Sequence, residues 1–218
     1  MNERTTETLP ARTTIRRLPE KANHDRAMLY GIVDEAYVCH VAFSVDGDTH
    51  CIPTAHWRKE NDLYIHGSNG SRMIKALSGG TQASIAITLL DGLVLAKSAF
   101  NHSMNYRSAV VYGQFEIVED AAEKRAALDL LMDKIAAGRK HEARPGNTKE
   151  INATRVLRIS LAQAAVKVSA SMPSDNEEDL GIPVWTGILP LKTARAAPIR
   201  CEAGASIAVP DYVRDWAD

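Results

Sequence analysis

The spacing of apolar positions changes along the chain and predicts a mainly β protein with flanking helices. Residues 23–35 leave an apolar stripe at helical spacing, which predicts a helix. From residue 37 onward the period is two, which predicts strands at 37–43, 50–57 and 63–66. An Asp46-Gly47 pair supplies a hairpin turn between the first two strands, and a short polar stretch supplies the next turn. Tight turns of this kind join antiparallel strands, so the pattern disfavours a parallel Rossmann sheet.

The later elements continue the same theme of many strands and few helices. The pattern predicts, in order, a helix at 72–77, strands at 83–89, 93–96 and 106–118, a helix at 119–137, a loop at 138–152, and a strand pair at 155–161 and 165–169. Six or seven antiparallel strands in a chain of 218 residues favour a closed or nearly closed β-barrel.

Three segments follow from the composition along the chain. Residues 1–22 are polar and form an N-terminal arm, residues 23–171 form the barrel domain, and residues 172–218 form a tail. The tail is broken by prolines yet carries Trp185 and several aliphatic residues. We expect it to pack on the barrel or on a second subunit, because it is too irregular to form a core of its own.

Charge and composition exclude several classes of partner. Lys and Arg total 26 against 27 for Asp and Glu, so the basic excess typical of nucleic-acid-binding proteins is missing. No apolar run reaches the length of a membrane helix, and the charged first twenty residues do not have the pattern of a secretory signal. The three cysteines are far apart and odd in number, which favours a reducing cytoplasm over a disulfide framework.

The segment from residue 63 to residue 77 carries the clearest chemical signal. A strand ends at His66, a loop of small residues follows, and a helix begins near Ser71. Free backbone N–H groups at a helix start favour an anion, and Arg72 and Lys75 lie on one face of that helix. These features suit a phosphate monoester, although an ordinary N-cap with a solvated basic face gives the same pattern. The P-loop motif is absent.

The order of these motifs resembles the pyridoxamine 5′-phosphate oxidase-like family. The resemblance rests on the strand and loop at 63–72 with Lys75, the buried strand after it, and the run at 105–113 that leads to Glu116. It extends from about residue 27 to residue 119, is nearest the flavin-nucleotide-binding and nitroimidazole-resistance branch, and is supported by residues 185–191. It implies the FMN-binding split barrel, an antiparallel split β-barrel that is mainly β with flanking helices.

The resemblance also implies a cofactor, FMN, and residues that contact it. Ser71, Arg72 and Lys75 would hold the phosphate, which agrees with the reading of the helix start from its residue types. The stretch at 53–56 would follow the isoalloxazine edge, partly through backbone groups, and comprises Pro53, Thr54, Ala55 and His56. His66 would lie near the ribityl chain or the phosphate.

A homodimer with the flavin at the subunit interface is a further implication. Asn105, Arg107 and Ser108 would approach the flavin of the other subunit, and Trp185 would flank the pocket. The arginine-rich substrate motif of the true oxidases has no clear match, although Arg195, Arg200 and Arg214 are present. The small-molecule substrate of those oxidases is therefore not carried over.

Three functions remain open at this point. The first is an FMN-dependent oxidoreductase acting on a small molecule, in which the flavin carries the chemistry and no side chain stands out as acid or base. The second is a flavin-binding carrier or sensor without turnover. The third is a metal-dependent hydrolase built on the strand face of His50 and His56, which lacks a visible full ligand set. The residues at the phosphate end are consistent with FMN or FAD, and the resemblance favours FMN.

Overall fold

The computed structural model describes residues 11–204 and 206–217, and they form one strongly curved antiparallel sheet with helices against it. The strands are β1 (Ala22–Asn23), β2 (Val38–Val45), β3 (Asp48–Lys59), β4 (Asp62–Ser68), β5 (Gln82–Leu95), β6 (Ser103–Gln114), β7 (Glu116–Ile117), β8 (Thr154–Ser160), β9 (Ala164–Ser169) and β10 (Gly187–Pro190). The helices are α1 (Arg26–Glu35), α2 (Arg72–Ser78), α3 (Ala121–Ile135), α4 (Thr148–Ala153) and α5 (Asp211–Arg214).

The sheet follows the order β1-β9-β6-β5-β2-β3-β4-β8-β7, with β10 on β5. Its two end strands, β1 and β7, are not paired with each other, so the sheet curls without closing. Strand β2 pairs with the first part of β5, and β10 pairs with its last part. This architecture confirms the predicted mainly β, antiparallel split-barrel fold with flanking helices.

The core lies inside the curl and is filled by alternate residues of the strands and by α1 and α2. Ile32 and Val33 of α1 and Ile74 and Leu77 of α2 are fully buried there. A second, smaller cluster lies on the other side of β3 and β4, where α3 packs over the buried rings of Trp57 and Tyr64. The two clusters fix β4 between the barrel interior and α3.

Predicted strands at 83–89 and 93–96 are one continuous strand, β5, with a bulge between Leu90 and Gly92. Because Gly92 has no side chain, the tail can approach β5 closely at this position. A Cβ atom there would lie 2.9 Å from Cγ2 of Ile188, so only glycine lets β10 pair this closely with β5.

Three elements lie where the sequence predicted loop or irregular chain, namely α4, α5 and β10. Helix α4 begins inside the predicted loop 138–152 and is started by a capping box between Asn147 and Glu150. Strand β10 lies in the tail that was expected to be irregular. Its strand conformation is stabilised by pairing with β5, a contact that local sequence does not encode.

The described parts of the arm and the tail both pack on the barrel. Lys21 donates a hydrogen bond to Oγ of Ser169, and the backbone N–H of Lys97 donates to Asp175 in the tail. Residues 1–10 of the predicted arm lie outside the described residues. In the part of the chain that the structure describes, no helix is both long and apolar enough to cross a membrane.

Candidate functional site

The junction between β4 and α2 is closed by short polar contacts. Ser71 caps α2 by accepting a hydrogen bond from the backbone N–H of Ile74, and Ser68 Oγ accepts one from the N–H of Gly70 at 3.2 Å. A Cβ atom on Gly67 would lie only 2.8 Å from Cγ1 of the buried Ile74. Glycine at this position therefore lets the first turn of α2 lie directly against the end of β4.

Two cations stand beside this helix start without partners. Arg72 and Lys75 are exposed, and within residues 11–204 and 206–217 neither side chain has a hydrogen bond or ion pair. Most of the other arginines are engaged, as Arg58 is with Asp34. The sequence-predicted phosphate residues Ser71, Arg72 and Lys75 are thus brought together, and the two cations are available to an anion.

The predicted flavin-edge segment alternates between the two faces of β3. Pro53 and Ala55 are exposed on the outer face, and Thr54 is half-buried. The side chain of His56 is fully buried, with its Nε2 2.9 Å from the carbonyl oxygen of Val33. Burial lowers the pKa of His56 to about 4, so the imidazole is neutral at pH 7. Any contact between position 56 and a ligand would have to use its backbone.

The outer face around this segment is broad and carries mostly small side chains. Cross-strand pairing aligns one row over five strands, from Pro53 through His40, Ala86 and Val110 to Ala165. The first three of these are exposed. A strand face that exposes several small apolar side chains is a typical association surface.

The residues expected to reach a partner's flavin have contacts within their own chain. The buried side chain of Asn105 bonds both the backbone N–H and the carbonyl oxygen of Ser171. Ser108 Oγ donates to the carbonyl oxygen of Lys167 at 3.3 Å. Asn105 therefore attaches the tail to β6, a structural contact that the family resemblance does not indicate.

Arg107 and Trp185 lie at different places on the barrel surface. The Arg107 guanidinium forms ion pairs with Asp91 and Glu35, whose hydrogen bonds raise its pKa. Trp185 is 65% exposed, and its ring lies against Gly187, which has a φ of 157°. Trp185 therefore remains available to a ligand or a second subunit, whereas Arg107 would have to exchange partners.

His66 lies in a pocket that the sequence did not indicate. It is on the opposite face of β4 from the barrel core, with its ring centroid 5.8 Å from that of Trp57. Its Nδ1 is buried, and neither ring nitrogen has a hydrogen-bond partner among the described residues. Burial lowers the pKa of His66, which favours the neutral imidazole.

The pocket has a volume of about 390 Å³ and lies between β4, α3 and the segment that leads into α4. Its apolar walls come from Leu128, Met132, Pro145 and Ile151. Charged residues at its edge are Arg125, Asp129, Lys140, Arg144 and Glu150. The pocket is thus lined by one neutral imidazole, an apolar wall and more cations than carboxylates.

A metal-dependent hydrolase would need a metal site on the strand face of His50 and His56. The ring centroid of His50 lies 5.3 Å from that of Phe43, and Nε2 of His56 donates a hydrogen bond to the carbonyl oxygen of Val33. Among residues 11–204 and 206–217, no group of three or more His, Cys, Asp or Glu side chains is placed to hold a metal ion.

Comparison with known proteins decides the family. A family sequence model described as pyridoxamine 5′-phosphate oxidase matches residues 25–168, most of the chain. The chain belongs to this family. The predicted family is therefore confirmed. No curated protein sequence matches significantly.

Solved structures of similar proteins extend over nearly the whole chain. The flavocytochrome Anf3 from Azotobacter vinelandii is 32% identical, with a TM-score of 0.90 and coverage of 94% of this chain and 96% of that one. The FAD- and heme-binding protein from Mycobacterium smegmatis is 34% identical, with a TM-score of 0.86 and coverage of 90% and 97%. A putative 5-nitroimidazole antibiotic resistance protein from Bacteroides thetaiotaomicron is 23% identical, with a TM-score of 0.58 and coverage of 67% and 86%.

Proposed function

We propose that this protein is a flavin-dependent oxidoreductase that also holds a heme. The observation that carries the proposal is the extent of the likeness. The flavocytochrome and the FAD- and heme-binding protein match at least 90% of this chain at 32% and 34% identity. By contrast, the nitroimidazole-resistance protein matches 67%. The likeness to the two heme proteins therefore includes elements outside the shared barrel.

The flavin site of the proposal is the β4–α2 junction. Ser71, Arg72 and Lys75 would hold the phosphate, because two unpartnered cations and a capping hydroxyl lie together there. Pro53, Thr54, Ala55 and the backbone of His56 would lie along the isoalloxazine edge. The family resemblance favours FMN, whereas the name of the Mycobacterium smegmatis protein favours FAD. We propose FAD, because the likeness to the Mycobacterium smegmatis protein covers 90% of this chain, whereas the family model covers residues 25–168.

The proposed heme needs a site among the residues of this chain. A protein-held heme needs an axial donor, apolar walls and cations for its carboxylates. The His66 pocket offers an imidazole without a hydrogen bond, aliphatic side chains and three cations. The donor set therefore fits a heme.

A homodimer completes the proposal. The small apolar row on the outer strand face would form the interface, and the partner's Trp185 region and the β6 residues Arg107 and Ser108 would approach the flavin from that side. The buried side chain of Asn105 would stay bonded to Ser171. Closed two-fold dimers are the commonest soluble oligomers, and burial of this face would remove exposed apolar area from water.

A bound flavin supplies one- and two-electron transfer, and a heme supplies one-electron transfer. The residues of this chain would bind and orient the two groups, and the small-molecule donor or acceptor would meet the flavin at the outer face. No side chain of the described site needs to move a proton in this scheme.

Anaerobic reduction tests the proposed function. Purified protein loaded with flavin and heme should lose its flavin absorbance on addition of NADH or NADPH, and its heme bands should then shift to the reduced form. A protein that binds both groups but is reduced by neither nucleotide would support a carrier or sensor instead. A protein that takes up no flavin would overturn the proposal.

A further inference from the structure

His66 is an uncommon kind of histidine in this fold. Buried polar atoms are normally satisfied, and a buried unpaired donor or acceptor costs free energy. His56, in the same region, has a partner for Nε2 in Val33, whereas His66 has none on either nitrogen among the described residues. Nδ1 of His56 is also buried without a partner, so the distinctive feature of His66 is that its second ring nitrogen has no partner in the described ranges either and that its side chain lines a pocket.

The ring of His66 fits a metal partner. Imidazole is the commonest protein ligand of metals, and neither nitrogen of this ring has a partner among the described residues. The ring is held by Trp57 on one side, so its orientation is constrained. No second His, Cys, Asp or Glu joins it in a metal-binding group within the described ranges, which favours a metal that arrives with most of its ligands.

The rest of the pocket has the chemistry of a planar, apolar, dicarboxylate group. Leu128 and Met132 from α3 and Ile151 from α4 supply the walls. Among the charged residues at the edge, Arg144 is paired with Glu150 and Lys140 with Asp133, whereas Arg125 donates, within the described part of the chain, only to the carbonyl oxygen of Gly146. Such an arrangement suits a porphyrin with its apolar ring inside and its two propionates at the edge.

The alternative occupant is the second phosphate and adenosine of the flavin. The cations of the pocket are less suited to a pyrophosphate, because Arg144 is paired with Glu150 and Lys140 with Asp133. The unpartnered cations, Arg72 and Lys75, stand at the other side of the turn that follows β4. The two sites are therefore adjacent and chemically different.

We propose that His66 would ligate the iron of the heme, and that the pocket between β4, α3 and α4 would hold the group, with Arg125 as a cation for its carboxylates. This inference rests on the proposed function, since it assumes that the chain holds a heme. It places the heme ligand five positions before Ser71, so the two redox groups would lie at the same end of one strand.

The test compares His66→Gly with His141→Gly in full-length protein purified with flavin and heme. His141 is the matched control, because it is exposed in the same region and does not line the pocket. We expect at least a tenfold loss of heme per protein in His66→Gly, with unchanged flavin content, and no change in His141→Gly. Added imidazole should restore heme binding and a low-spin electron paramagnetic resonance signal to His66→Gly.

Each other outcome contradicts the assignment in a distinguishable way. A Soret band of unchanged position and intensity in His66→Gly would overturn the ligand, while leaving the proposed function intact. A wild-type protein that takes up flavin but no heme would overturn both the heme part of the function and this inference. If His66→Gly does not fold, Arg125→Glu decides, because weakened heme binding with normal flavin content supports the pocket and unchanged heme affinity overturns it.

Discussion

Nε2 of His56 lies 2.9 Å from the carbonyl oxygen of Val33, and this hydrogen bond attaches strand β3 to the last turn of helix α1. Lys134 of α3 donates to the same oxygen at 3.0 Å. The proposed flavin-edge strand is therefore fixed from behind by two helices. The bond needs a proton on Nε2, and burial keeps the ring neutral at pH 7 by lowering the pKa of His56 to about 4.

Acidification should destabilise the fold through this histidine. The ordinary pKa of 6.5 applies when the chain is unfolded, so between pH 6.5 and 4 the unfolded state binds more protons and stability rises with pH. The contribution is complete above pH 6.5 and is lost as the pH falls to about 4. Over this window the wild type should lose about 3 kcal/mol more than His56→Gln, which keeps a donor for Val33 but cannot titrate. Urea unfolding of both proteins at several pH values measures the difference. The prediction is contradicted if the free energies of unfolding of the two proteins fall in parallel as the pH is lowered.

Gly67→Ala should disturb the β4–α2 junction. The added Cβ would meet buried Ile74 at 2.8 Å, and overpacking of this kind costs about 1–3 kcal/mol. Flavin affinity should fall as well, because the start of α2 must shift. Gly31→Ala in α1 is the control, since nothing lies within 4 Å of the new atom and helix propensity favours alanine. If Gly67→Ala and wild type are equally stable in urea, the junction accommodates the added methyl group without loss of stability, and the prediction is contradicted.

Arg72→Ala should weaken flavin binding while the fold is retained. A charge-assisted hydrogen bond to phosphate contributes about 1.5–3 kcal/mol, or roughly ten- to a hundredfold in the dissociation constant. Lys75→Ala should have a smaller effect, because an ammonium is a strongly hydrated point charge. Arg16→Ala, at an exposed arginine of the arm, should leave the affinity unchanged. Titration of apo-protein with flavin measures all three, and normal affinity in Arg72→Ala would mean that the phosphate binds elsewhere.

A charge on the outer strand face should separate the proposed dimer. Ala86 lies in the exposed row between His40 and Val110, so Ala86→Glu would bury a carboxylate at the interface. Sedimentation at micromolar concentration should show a dimer for wild type and for Ala126→Glu on exposed α3, and a monomer for Ala86→Glu. Because the flavin is held by both subunits in this account, its affinity should fall with the dimer. A wild-type monomer that binds flavin tightly would contradict the shared site.

Much of the barrel could be predicted from local pattern. The meander β2–β4 follows from alternation and from the Asp46-Gly47 turn, whose residues both have positive φ as a two-residue hairpin requires. The grouping of Ser71, Arg72 and Lys75 at the start of α2 was also predictable, because Ser71 and Arg72 are neighbours and Lys75 is one helical turn further on. Contacts this short in sequence are set by local geometry.

The pocket beside His66 could not be predicted in the same way. Its walls come from α3 and α4, which lie far along the chain, and α4 itself was expected to be loop. A heme held by one imidazole has no sequence signature, and the C-x-x-C-H motif of covalently attached heme is absent. The sequence pattern did not predict the bulge near Gly92 or the strand β10. The reason is related, because β10 pairs with β5 next to the bulge and this contact joins segments that are far apart in the sequence.

The absorption spectrum of the purified protein, together with mass spectrometry of its released cofactors, tests the central claim most directly. The account predicts a flavin band and a Soret band in the same preparation, with FAD and heme each released at one equivalent per chain. A flavin band alone, with FMN released, would contradict the heme and the choice of flavin. A colourless protein that takes up neither group on incubation would contradict the account as a whole.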